Sequence, residues 1–141
     1  MILTRGIPHK HLVALFIFLV VTVLYLFTLA PSITERHIGA DGAELAASAY
    51  TLGVAHPTGY PTYLILAKIF SLVIPWGDIA HRVNILSAIS GAGAVTLVYL
   101  TCHMFIERTF RASEIISSRA SASAIIAAAA LAFSPILWSQ S

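Results

Sequence analysis

Charge is what this chain has least of. Asp, Glu, Lys and Arg make up 10% of its 141 residues against 58% hydrophobic, and the mean hydropathy is +0.88. Water-soluble domains carry about 25% charged residues, so most of this chain has lipid for its solvent. The net charge is only +2, with the basic residues scattered. That excludes the electrostatic footprint of a nucleic-acid-binding protein, and no Lys/Arg run makes a polybasic lipid-binding patch. Cysteine is almost absent. The single Cys102 lies in an apolar run, which excludes a disulfide framework and leaves it as a small buried hydrophobe.

What the chain does have is long apolar runs. Residues 12–30 hold 19 positions without a charge, and about 20 apolar residues span the hydrocarbon core. A cleaved signal peptide fits less well, because its apolar region would exceed the roughly 7–15 residues expected and Pro31 would follow the cleavage site. A second span is expected at 83–106, where Ser87, Gly91 and Val95 share one face and Ala88, Ala92 and Thr96 the next. Small residues spaced by four let helices approach closely in lipid. The same reading places Ser90-Gly91-Ala92-Gly93 in helix packing, away from phosphate binding. A third, Ala-rich span is expected at 120–138, after a polar loop at 107–119.

The polar remainder is concentrated in residues 31–82. Helices are expected near 41–52, with Gly53 as the stop, and at 61–75. The second encloses 13 apolar residues, roughly 20 Å of helix. That is too short to cross a core of about 30 Å, so it is expected to lie at the interface with Lys68 snorkelling and Trp76 at headgroup level. The expected fold is therefore an all-α polytopic membrane protein, a single membrane domain over 1–141 with about three transmembrane helices and short helices in the first exterior loop. Arg5, Lys10, Arg108, Arg111 and Arg119 fall on one side, and Arg36, Lys68 and Arg82 on the other. The bias favours a cytoplasmic N-terminus and an exterior 31–82 loop.

Within that loop the chemistry gathers between Asp41 and Pro61. Asp41 and Glu44, two of the six carboxylates, stand three residues apart and share a helix face. A His-Pro turn containing His56 and Tyr60 follows. The plain reading is a capping box, with Asp41 at the N-cap and Glu44 reaching back to its amide. The chemical reading makes one carboxylate a general base and the other its partner, since two close like charges push their pKa values apart. A divalent metal on the carboxylates and His56 is an alternative, with too few ligands to argue from sequence. Ser48 and His56 sit in no triad pattern.

The run APSIT (30–34), Asp41-x-x-Glu44, and AxxLGVAHPTGYPTY (49–63) resembles the N-terminal part of the TMEM-type protein O-mannosyltransferases. RVNILSA (82–88) and FSPILWSQS (133–141) are similar to later blocks of the same family. Gly42-Ala43 departs from the Ser/Cys-Gly usual between the acids, and Thr58 replaces a second proline. The resemblance implies the GT-C glycosyltransferase architecture. It also implies a polyprenyl-phosphate-linked sugar donor, a hydroxyl-bearing acceptor, and a catalytic acid in the first exterior loop. Asp41 would then be the base, and Glu44 would position Asp41 or the acceptor. Arg82 is the candidate for the lipid phosphate, or else an interfacial anchor. His56 would bond donor or acceptor, or fix the turn, and Tyr60 and Tyr63 would face the interface or a sugar. Family members have many more spans, so this chain is expected to be an N-terminal module, inactive alone and completed by the remainder of the enzyme or a partner membrane subunit. The Ala-rich span and short loops lean towards a bacterial inner membrane. The alternative reading is a small non-catalytic membrane protein or assembly partner.

Overall fold

The computed structural model describes residues 9–33, 40–110 and 114–139. Arg5, Arg36 and Arg111, on which the orientation argument drew, lie outside the described residues. The described elements are all helices: α1 (His9–Thr28), α2 (Ala40–Thr51), α3 (Pro61–Val73), α4 (Ile79–Thr109), α5 (Glu114–Ala132) and α6 (Pro135–Ser139). The chain divides into two compact units. One comprises residues up to Leu24 with Gly91–Trp138; the other comprises Tyr25–Ser90 with the last residues.

Two of the described helices, α1 and α4, are long and apolar enough to cross a membrane. Along α1 the exposed side chains are Leu12, Leu15, Phe16, Leu19, Val20, Val23 and Phe27, a surface suited to lipid. With 31 residues, α4 runs to about 46 Å, longer than the expected 83–106 and longer than the hydrocarbon core. The third expected span is divided. Its first part is α5, a helix of 19 residues, and the chain is interrupted at Ser134. The Ser134 hydroxyl accepts the Leu137 amide at 3.3 Å and Pro135 opens α6. A side-chain cap followed by proline at the first helical position starts a new helix in place of extending the old one.

In the first unit, α5 buries Ala120, Ala124, Ala128 and Ala132, one residue per turn and none more than 4% exposed. That is the small-residue spacing of close helix contact. From α4 come Ala92, Val95, Tyr99 and His103, also buried, and His103 Nε2 lies 3.0 Å from the Ser121 hydroxyl of α5. Lys10 Nζ meets Glu107 at 3.2 Å, joining α1 to α4. Cys102 is half-buried, on the flank of α4 next to this buried row.

The second unit carries the polar loop. Its core is Ala49, Ala55, Leu64, Ala67, Val83 and Leu86, flanked by Leu45, Tyr63 and Phe70, so α2, α3 and the start of α4 close on one another. On α3 the buried residues Leu64, Ala67 and Ser71 form one face, while Ile65, Ile69 and Leu72 are exposed on the other. An apolar outward face on a helix too short to span suits the membrane interface.

Among the described residues of this unit, Lys68 and Arg82 both donate to carbonyls at helix C-termini. Lys68, expected to snorkel, instead donates to the Tyr50 carbonyl at the end of α2 and sits 4.9 Å from the Tyr50 ring centroid. Arg82 donates to the Ser71 carbonyl of α3 at 2.9 Å and to the Gly77 carbonyl at 3.1 Å. Cations suit the carbonyl-rich ends of helices, where backbone acceptors lack partners. Asp78 caps α4, accepting the His81 amide at 2.7 Å, and also accepts the Ser32 hydroxyl. These bonds, that from Ser32 first, hold its carboxyl below the ordinary 3.8. His81 Nδ1 and Asn84 Nδ2 approach the Ala30 carbonyl at 3.2 and 3.4 Å. The start of α4 thus ties down the chain that leads out of α1 and the end of α3. Gly77 makes the turn possible: its φ is +76°, and a Cβ there would stand 2.5 Å from the His81 ring.

Replacing Ala67, fully buried against α2, with Leu should overpack this core and destabilise it by about 1–3 kcal/mol. Ile69→Ser, on the exposed face, should leave the unfolding midpoint in detergent nearly unchanged. Equal midpoints for the two variants would contradict the assignment of faces.

Candidate functional site

Helix α2 begins at Ala40, so Asp41 lies in its first turn and the N-cap assignment does not hold. Glu44, one turn on, does not reach back to the Asp41 amide as a capping box requires. Its carboxylate crosses to the His-Pro turn, accepting the His56 backbone N–H at 2.7 Å through Oε1 and lying 3.0 Å from His56 Nδ1 through Oε2. The backbone bond first, and then the ring bond, hold the Glu44 carboxyl below its ordinary value of 4.5. A carboxylate oxygen only accepts, so the hydrogen between them belongs to Nδ1.

The turn is shaped to deliver His56 there. Leu52, with a φ of 55°, ends α2, and the Gly53 amide returns to the Ser48 carbonyl at 2.9 Å, the bonding of a Schellman end. The expected stop at Gly53 is thus one residue late, since Leu52 itself takes the left-handed conformation. Ala55 is buried in the core and anchors the loop. The Gly59 amide closes on the His56 carbonyl at 2.7 Å, with Gly59 at a φ of +81°. Tyr60 is the left-handed N-cap of α3 and Pro61 opens the helix.

The result places Asp41, Glu44, His56 and Tyr60 together. Glu44 and His56 are in direct contact. His56 Nε2 faces Asp41 Oδ2 at 3.8 Å and the Tyr60 hydroxyl at 3.5 Å. The Tyr60 ring meets the imidazole edge-on, with centroids 5.4 Å apart. The Asp41 side chain is 61% exposed and Glu44 44%, so the cluster opens outward. Arg82 is not brought in. Its guanidinium bonds the Ser71 and Gly77 carbonyls, and none of its described contacts reaches Asp41, Glu44, His56 or Tyr60. Tyr63 turns to α4, its hydroxyl 3.5 Å from Ser87. Among the described residues no group of His, Cys, Asp and Glu is arranged to hold a metal ion.

Sequence reasoning did not foresee the Glu44–His56 contact, although all its members were singled out. The signal was there in the pairing of Glu with a His twelve residues on across a Gly- and Pro-bounded turn. Lys68 and the Asp78–Ser32 clasp were also missed as the elements that brace the cluster.

Residues 41–141 match the family model of the protein O-mannosyl-transferase TMEM260 N-terminal domain. The chain belongs to this TMEM260 family. The match begins at Asp41 and so takes in every candidate site residue. The protein O-mannosyl-transferase TMEM260 of Mus musculus is 38% identical over 103 residues, covering 73% of this chain and 13% of the mouse protein. The Dictyostelium discoideum protein of the same name is 30% identical over 124 residues, covering 86% of this chain. The chain therefore spans about 13% of the length of these relatives. No solved structure matches it.

Because the Glu44 carboxyl is depressed from 4.5 in the folded state, its contact stabilises the loop fully above that value. The contribution is lost as pH falls through the lower folded-state pKa. The His56 amide should accordingly be protected from hydrogen exchange at neutral pH and lose protection only well into the acid range. In Glu44→Ala the protection factor should be low at every pH. Protection that persists in that variant would rule out the contact.

Proposed function

We propose that this TMEM260-family segment supplies the acceptor-activating half of a membrane O-glycosyltransferase site. The supporting observation is the convergence of Asp41, Glu44, His56 and Tyr60 on an exposed surface beside the apolar outward face of α3. In this reading α1 and α4 cross the bilayer with the N-terminus on the cytoplasmic side. The α2–α3 loop then lies at the exoplasmic membrane edge, where a sugar on a lipid phosphate presents its anomeric carbon.

Asp41 is the base. Its partner Glu44 is fully engaged by His56, whereas Asp41 makes only the 3.8 Å approach and stays 61% exposed, accessible to an incoming hydroxyl. A carboxylate oxygen of Asp41 takes the acceptor's O–H proton. The acceptor oxygen forms the new bond to the anomeric carbon, and the bond from that carbon to the lipid phosphate breaks with its electron pair leaving on phosphate. Attack opposite the leaving group inverts the anomeric centre. Tyr60, 39% exposed beside the cluster, lines the approach of a sugar or acceptor. Arg82 serves the site by holding the end of α3. Glycosyl transfer in this reading needs the rest of the transferase, or a partner membrane subunit, to complete the donor site. The relatives are named for O-mannosyl transfer to protein, which makes a mannosyl donor and a Ser/Thr hydroxyl the first substrates to try.

An Asp41→Asn variant of the full-length transferase should insert into membranes normally and lose about 10²–10⁴-fold in transfer rate. Retention of activity would remove Asp41 from the role of base.

A further inference from the structure

We propose that Glu44 and His56 form a proton relay behind Asp41, in which His56 Nε2 receives the proton that Asp41 takes from the acceptor. The inference rests on the reading of Asp41 as base. It assigns His56 as a positioning and relay residue acting through Asp41, in place of a substrate ligand.

The two ring nitrogens of His56 meet different carboxylates. Nδ1 is committed: a carboxylate lies 3.0 Å away and also holds the backbone N–H of the same residue at 2.7 Å. Two bonds from one carboxylate to one residue fix both the ring's position and its tautomer, with the hydrogen on Nδ1. Nε2 is then the lone-pair nitrogen, and it is turned towards Asp41 Oδ2 at 3.8 Å. Among the described residues, the titratable groups that face His56 are Asp41 and Glu44 from α2 and Tyr60 from the entry to α3. The Tyr60 hydroxyl, 3.5 Å away, is at the outer edge of hydrogen bonding and leaves Nε2 available. The Asp41 gap closes by a side-chain rotation of about 1 Å or through one water, the reach expected of a proton acceptor before substrate binds.

The step balances. Asp41, protonated by the acceptor hydroxyl, passes that proton to the Nε2 lone pair and regains its negative charge. The imidazolium so formed keeps its Nδ1–H on the Glu44 carboxylate, whose charge stabilises it, and later releases the Nε2 proton to water. A relay serves this site because acceptor and lipid donor, once seated, displace the water that would otherwise clear the proton from Asp41. A carboxylate orienting a histidine whose second nitrogen handles a proton is the arrangement that chemistry needs.

The test has a spectroscopic arm and a kinetic arm. In the full-length protein, labelled with ¹⁵N-histidine, the His56 shifts at neutral pH should show a protonated Nδ1 and a lone-pair Nε2. A resting imidazolium, or the opposite tautomer, would overturn the relay. Kinetically, His56→Asn keeps an N–H donor for Glu44 but has no second nitrogen. It should lower kcat about 10²-fold with KM little changed. Glu44→Gln, a second variant that preserves shape, should likewise lower kcat with KM little changed. If His56→Asn keeps wild-type kcat while Asp41→Asn is dead, the base reading stands and the relay falls. If Asp41→Asn keeps transfer while His56→Asn loses it, Asp41 is not the base and the relay falls with that reading.

Discussion

One carboxylate holds the loop between α2 and α3 in shape. Glu44 accepts both the amide and the ring of His56, closing the loop between α2 and α3 onto the first turns of α2. Beside that pair of hydrogen bonds, the His-Pro turn is held by Ala55 in the small core beneath it and by the Gly59 amide on the His56 carbonyl. Hydrogen bonds to a charged group contribute less where water competes for it. Here the carboxylate is partly exposed, so its importance lies in direction: it decides which way an imidazole points and which nitrogen carries hydrogen.

Around that contact, helix ends are satisfied with unusual economy of charge. Lys68 serves α2, Arg82 serves α3, and Asp78 serves α4. In a chain with so few charged residues, these three and Glu44 each meet a backbone group. A helix carbonyl or amide left without a partner is costly wherever water cannot reach it. The same pressure explains why the chain leaving α1 is clasped at Ala30 by His81 and Asn84. The polar side chains at the start of α4 thereby hold the polypeptide on both sides of the α2–α3 loop, and Asp41 is presented on a braced frame.

Much of this was legible beforehand, for a local reason. Long apolar runs specify long apolar helices, and α1 and α4 follow them, each long and apolar enough to cross a membrane, because hydrophobicity and helix rise are properties of consecutive residues. The short α3 was likewise visible from two prolines and 13 apolar residues between them. The break in the third apolar stretch was only half visible. Pro135 was evident, but it is compatible with a bent span. Capping of Leu137 by Ser134 is what makes it a new start.

The sequence by itself determined where polar chemistry had to gather, since Asp41, Glu44, His56 and Tyr60 are the conspicuous polar residues of an apolar chain. It also carried the family, through the order of short motifs from Asp41 onward. Only the tertiary structure decided partnership. A capping box and a cross-loop bond to His56 satisfy the Glu44 carboxylate equally well on paper. The choice depends on whether the turn brings residue 56 within 3.0 Å of residue 44, which in turn needs Ala55 buried, Leu52 and Gly59 left-handed, and α3 packed on α2. Arg82 shows the same limit. Its charge suggested an anion, and the fold gave it two carbonyls, because the end of α3 arrives beside it with backbone acceptors that lack helical partners.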